Sequence, residues 1–79
     1  MDIILLTRID ASRNMARFYV VSIEPSLFGD CALVRNWGRI GTKGRNRIEL
    51  YDHRQDAYDR FNHIVRTKRR RGYGLAGPC

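Results

Sequence analysis

The sequence predicts an α+β fold, a small antiparallel sheet of about four strands packed against one C-terminal helix as a two-layer sandwich. Three observations predict it. Four short runs rich in β-branched and aromatic residues, separated by turn formers, fill the first two thirds of the chain. One stretch with apolar residues at helical spacing follows them. The length, 79 residues, suits a single domain with a compact core. The hydrophobic fraction of 43% is ordinary for a globular chain.

The elements follow in order. Ile3 to Ile9 reads as a first strand, and Asp10-Ala11-Ser12-Arg13-Asn14 as a polar turn. Met15 to Glu24 reads as a second strand centred on Phe18-Tyr19-Val20-Val21. Pro25, which cannot donate to a ladder, is expected to stop it and open a turn through Asp30. Cys31 to Arg39 reads as the third strand. A loop with spaced glycines at 38, 41 and 44 leads to a fourth at about Arg45–Tyr51.

The helix is expected to start at an Asp52 cap, with Gln55 completing a capping-box-like pair. Ala57, Tyr58, Phe61, Ile64 and Val65 then form one apolar stripe. Lys68-Arg69-Arg70-Arg71 suits a helix C-terminus, where the macrodipole favours cations, and Gly72 can end the helix. Tyr73 to Cys79 reads as a loose tail. The expected organisation is one domain over residues 1–74 and a flexible tail over 75–79. The helix should cover one face of the sheet and leave the other free to bind.

Charge narrows the function. The net charge is +7, and it is uneven. Residues 1–34 set three Arg against four acidic residues, whereas residues 35–79 set twelve Lys and Arg against four. Such asymmetry points to a polyanionic partner, although a solubilising surface gives the same composition. Arg outnumbers Lys thirteen to two, which favours phosphate, because guanidinium binds it bidentately.

Other classes are set aside. Cys31 and Cys79 form neither a C-x-x-C motif nor a disulfide framework, which fits a reducing cytoplasm. The first residues lack the charge and apolar length of a signal peptide, and no run could span a bilayer. His53 and His63 do not face one metal, so no metal or other cofactor is expected. The glycine spacing matches no dinucleotide or Walker loop, and no serine lies in a nucleophile elbow. No catalytic residues and no small-molecule substrate are expected.

The most informative stretch is Val34-Arg35-Asn36-Trp37-Gly38-Arg39-Ile40-Gly41-Thr42-Lys43-Gly44. Alternation puts Arg35, Trp37 and Arg39 on one strand face, with Val34, Asn36 and Ile40 on the other. In the fourth strand Ile48 and Leu50 read as core-facing, so Arg45, Arg47 and Glu49 should face outward. Pairing of these strands would surround one Trp with several Arg, which suits phosphates and a base or sugar. The glycines would let backbone amides approach a phosphate. Plainer readings stand beside these. Trp37 can be core, the glycine loop can be a hairpin turn, and the arginines can be edge-strand charges. The Lys68–Arg71 run can be a solvated helix end or a second phosphate contact.

Trp37-Gly38-Arg39-Ile40-Gly41-Thr42-x-Gly44, with its flanking strands, Tyr51-Asp52, Asp56-Ala57 and the helix ending near Gly72-Tyr73, resembles the WGR domain family. The resemblance is strongest over residues 15–74. The family occurs within DNA-damage-dependent poly(ADP-ribose) polymerases and as small free-standing or fused bacterial proteins. It implies a small antiparallel sheet with a helix, and contact with DNA near the 5′ terminus of a break. It implies that Trp37 packs on the terminal sugar, that Arg39 contacts a phosphate or a partner, and that Gly38 and Gly41 shape the backbone. Arg35, Lys43, Arg45 and Arg47 join this DNA-binding set from charge and strand face. Arg45 stands where many members have Gln, which would strengthen phosphate attraction. The expected function is a non-catalytic module for double-stranded DNA ends or nicks. The alternative is a protein–protein interaction module using the same surface, and RNA or single-strand binding ranks behind both.

Overall fold

The structure, a computed structural model, describes residues 2–27 and 30–75. Strands β1 (Asp2–Asp10), β2 (Met15–Pro25), β3 (Cys31–Arg39) and β4 (Arg45–Tyr51) precede helix α1 (Arg54–Arg70), and a two-residue strand β5 (Gly74–Leu75) follows it. They form one antiparallel sheet in the order β4-β3-β2-β1-β5, with α1 on one face. The expected α+β architecture is therefore present, with a fifth strand added.

Local chemistry explains the joints. The β1–β2 link is a 3-10 turn over Ala11–Arg13, held by Ser12, whose amide and hydroxyl donate to Asp10 Oδ1 at 3.1 and 2.6 Å. Asn14 then takes a left-handed conformation (φ 51°), which its side chain tolerates. β2 runs through Pro25 rather than stopping before it, because the last residue of a strand can do without its N–H. The turn expected after it includes Phe28 and Gly29, which lie outside the described residues.

The start of the helix differs from the expected cap. The N-cap is His53, in extended conformation and without a side-chain hydrogen bond, and Gln55 Nε2 donates along the helix to Asp59 Oδ1 at 2.9 Å. Position is set by the buried stripe of Ala57 and Ile64, since burial outweighs a cap worth about 1 kcal/mol. The C-terminus ends on Gly72 as expected. Gly72 N donates to Arg69 O and Tyr73 N to Lys68 O, both at 3.1 Å, with Gly72 at φ +95°. This closure turns the chain back onto the sheet, so Gly74 and Leu75 pair with Thr7 and Leu6. Leu75 thus belongs to β5 and not to a loose tail; residues 76–79 of that expected tail, Pro78 and Cys79 included, lie outside the described residues.

The core consists of Leu6, Tyr19, Val21, Ile23, Cys31 and Leu33 from the sheet and Ala57 and Ile64 from α1. These sheet residues share one face by register, and α1 covers it. That fixes the faces in the opposite sense to the expected one. Arg35, Trp37, Arg39, Arg45, Arg47 and Glu49 do share a face, but it is the face α1 covers. Ile48 and Leu50, expected in the core, lie on the open face at 65% and 56% exposure. The reason is that β2 and β3 are apolar on both faces, as the pairs Val20-Val21 and Leu33-Val34 show. Alternation then says which residues share a face, and only the helix decides which face is inside.

Candidate nucleic-acid interface

The covered face changes character along its strands. Nearest the β2–β3 turn it is apolar, with Ile23 beside Leu33. One step on, Val21 lies beside Arg35 and Arg47. Then come Tyr19, Trp37 and Arg45 in one row, and Arg17 beside Arg39 in the next. The helix follows the same gradient. One turn beyond buried Ile64 its stripe carries Lys68 instead of an apolar residue. Where the hydrophobic layer ends, cations and aromatic rings take its place.

Their geometry is interlocked. Trp37 stacks on Tyr19 with ring centroids 6.0 Å apart and planes 23° from parallel. The Arg35 guanidinium lies 5.9 Å from the Trp37 centroid, and Lys68 Nζ lies 4.6 Å from the Tyr19 centroid and 5.4 Å from that of Tyr73. Glu49 organises the opposite side. It pairs with Arg35 Nη2 at 2.5 Å, Arg47 Nε at 3.6 Å and Arg60 Nε at 3.8 Å, and it accepts from the Tyr51 hydroxyl at 2.8 Å. Burial and that hydrogen bond hold the Tyr51 hydroxyl above its ordinary pKa. Burial pushes the Lys68 ammonium below its usual value, helped by the nearby charges of Arg71, Arg35 and Arg17. An anion arriving there would relieve that crowding.

Two clefts open around these rings. One, of about 290 Å³, is lined by Tyr19, Arg35, Trp37, Arg60, His63, Ile64, Thr67 and Lys68. The other, of about 400 Å³, is lined by Arg17, Trp37, Gly38, Arg39, Lys68 and Tyr73. Trp37 and Lys68 border both. Among the described residues, Arg35, which lines the first, has its Nε buried without a hydrogen-bond partner.

Of the residues singled out from sequence, Arg35, Trp37, Arg39, Arg45 and Arg47 come together on this surface. Arg39 is braced by neutral acceptors, with Nη1 and Nη2 donating to Asn14 O and Oδ1 at 3.1 and 3.3 Å. Gly38 belongs to the opposite face by register, and Gly41 and Lys43 lie in the β3–β4 loop. These glycines have structural work. A Cβ on Gly38 would come within 2.7 Å of Gly44 Cα, and one on Gly44 (φ +70°) would strike the Trp37 carbonyl and the Phe18 ring. The strands can cross so closely only without side chains there.

Sequence reasoning missed Tyr19, Arg17, Arg60, Tyr73 and the organising role of Glu49. For Arg17 and Tyr19 the signal was present in the alternation along β2. From the sequence Lys68 reads only as part of its basic run, yet it continues the apolar stripe one turn past Ile64. Among the described residues, no group of three His, Cys, Asp or Glu side chains is placed to hold a metal ion, and no helix is long and apolar enough to cross a membrane.

A family model described as the WGR domain matches residues 3–78. The uncharacterized protein y4dW of Sinorhizobium fredii (strain NBRC 101917 / NGR234) is 54% identical over 66 residues, which are 84% of this chain and 32% of that relative. The chain therefore spans about a third of the length of that curated relative. No solved structure matches the chain significantly.

Proposed function

Since the chain belongs to the WGR domain family, we propose that it is a non-catalytic DNA-binding module that recognises duplex ends or breaks through the surface around Trp37. The observation that carries this reading is the position of Trp37, at the boundary of two clefts lined by Arg35, Arg60 and Lys68 on one side and Arg17, Arg39 and Lys68 on the other. A backbone that ends at Trp37 places phosphates in the clefts and a sugar or base against the indole. Arg45 and Arg47, on the rim by strand register, and Lys43 in the loop extend the phosphate track. Glu49 sets a limit on this track, because it already engages Arg35, Arg47 and Arg60 and a phosphate must compete for them.

Fluorescence anisotropy tests the reading. The probes are a 5′-phosphorylated blunt duplex, a closed dumbbell of the same sequence and a single strand, each at two salt concentrations. The open duplex is expected to bind tightest, with affinity falling steeply as salt rises. Trp37→Ala should remove the preference for the open end. Weak and equal binding of all three probes, unaffected by Trp37→Ala, would reduce the charge to a nonspecific surface and direct attention to a protein ligand at the same clefts.

A further inference from the structure

We infer that the open face of the sheet is a self-association surface through which two copies of this chain pair back to back. The face is strongly apolar. Ile3, Leu5 and Ile9 of β1 lie along one side and Ile48 and Leu50 of β4 along the other, and all five side chains are exposed, Ile9 the most at 69%. Between them β2 and β3 present Ser22 and Ala32, both buried, and Val20 and Val34, both half-buried, and by register Phe18 stands at the end nearest the β3–β4 loop. The relief is two ridges flanking a short trough that Phe18 closes at one end.

Three features select a second copy as the occupant. The first is shape. A ridge of one copy fits the trough of another under a two-fold rotation, which is the self-complementarity an isologous interface requires. The second is charge. The chain carries +7, and copies repel through any cationic surface. By register the open face holds no Lys or Arg, and most of its polar side chains are already hydrogen-bonded within the chain. Ser22 Oγ donates to Glu24 Oε2 at 2.9 Å, and Asn36 Nδ2 donates to Asn46 Oδ1 at 2.8 Å and to Arg45 O at 3.0 Å. The third is area. The five exposed side chains alone offer roughly 500 Å² of apolar surface, at the upper end of the largest patch a monomer usually leaves bare and more than half of the ~800 Å² each partner gives to a stable interface. Among the described residues no element covers this face, since α1 lies on the other.

The pairing is independent of the DNA reading. It would place two Trp37 surfaces on opposite sides of one particle.

Sedimentation velocity on the full chain from micromolar to near-millimolar concentration tests the inference. The mass is expected to rise from 9.2 kDa to twice that and stop. Ile48→Asp and, separately, Ile9→Lys should each hold the protein at monomer mass with an unchanged circular dichroism spectrum. Both sites are exposed, so neither threatens folding. Persistent monomer in the wild type would overturn the inference. So would a dimer that survives both substitutions, a dimer lost on Trp37→Ala instead, or growth beyond two copies. DNA affinity measured alongside separates the two readings, since Ile48→Asp leaves the Trp37 surface intact.

Discussion

The two faces of one sheet differ here in almost every respect. The covered face runs from a closed hydrophobic layer at Ile23 and Leu33 into a cluster of rings and guanidinium groups at Tyr19, Trp37, Arg35 and Arg39. The open face carries exposed apolar ridges on both outer strands, holds no Lys or Arg, and meets no element of the described chain. In many antiparallel sheets one face is packed and the other polar. In this chain the unpacked face exposes large aliphatic side chains, and the cationic charge sits at the rim of the packed one. The lesson is that burial and hydrophobicity are assigned by the third element, α1, and not by the strand pattern alone.

The largest effect that can break this comparison is on stability. Leu33 is fully buried on the covered face and Ile48 is exposed on the open one. Leu33→Ala should cost about 2–5 kcal/mol through lost burial and a cavity. Ile48→Ala should stay within about 0.5 kcal/mol when the protein is dilute enough to be monomeric. Urea denaturation followed by circular dichroism measures both. Equal losses, or the reverse order, would mean that α1 covers the other face.

That assignment is also where the sequence stopped being legible. The bounds of β3 and β4 agree with the residues expected, because turn formers mark their ends. Helix α1 was legible through the stripe at Ala57, Phe61 and Ile64, and its stop through Gly72. The grouping of Arg35, Trp37 and Arg39 with Arg45 and Arg47 followed from alternation. The sense of the faces did not, since neighbours such as Leu33 and Val34 are equally apolar. β5 was hidden because two residues carry no period and pair only after the Gly72 turn aims them at β1. The Asp52 cap failed because a capping energy is small beside the burial that places α1.

The next effect concerns the loop that joins β3 to β4. Gly44→Ala must hold φ +70° and displace the Phe18 ring or the Trp37 carbonyl, and should cost at least about 2 kcal/mol. Gly41→Ala meets nothing within 4 Å, and its φ of +96° alone should cost about 1 kcal/mol. Thermal unfolding of the pair sharpens the view of these glycines as packing devices. If Gly44→Ala keeps its stability and loses only DNA affinity, the loop is a phosphate cradle and the packing account fails.

Binding provides a smaller contrast. Trp37→Ala should weaken open-ended duplex by about 1–3 kcal/mol, the usual worth of a base–aromatic stack. Ile48→Asp on the open face should leave that affinity within twofold. Arg45→Gln should lower the salt slope by about one and weaken all duplexes alike. A loss shared equally by Ile48→Asp would place the DNA on the apolar face and dissolve the division of labour between the two.

The finest effect is a pH dependence at Lys68, where the helix stripe meets the rings. In the folded chain burial, Arg71, Arg35 and Arg17 hold its ammonium below the ordinary 10.5. The unfolded chain therefore binds more protons between the folded pKa and 10.5, so the Lys68 contribution to stability rises with pH across that interval. DNA acts in the other sense. A phosphate beside Lys68 offsets the neighbouring cations and raises its pKa in the complex, so the complex holds the proton more tightly than the free protein. Affinity is then full below the free pKa and falls as pH rises through it. Lys68→Arg, charged throughout, should show a flat profile over the same range, and Lys68→Met should lose the rise in stability. Calorimetry in two buffers of different ionisation enthalpy reads the proton taken up on binding. If no proton is taken up as the pH approaches 10.5, or if Lys68→Arg follows the wild-type profile, Lys68 lies outside the phosphate path and the cationic rim ends at Trp37.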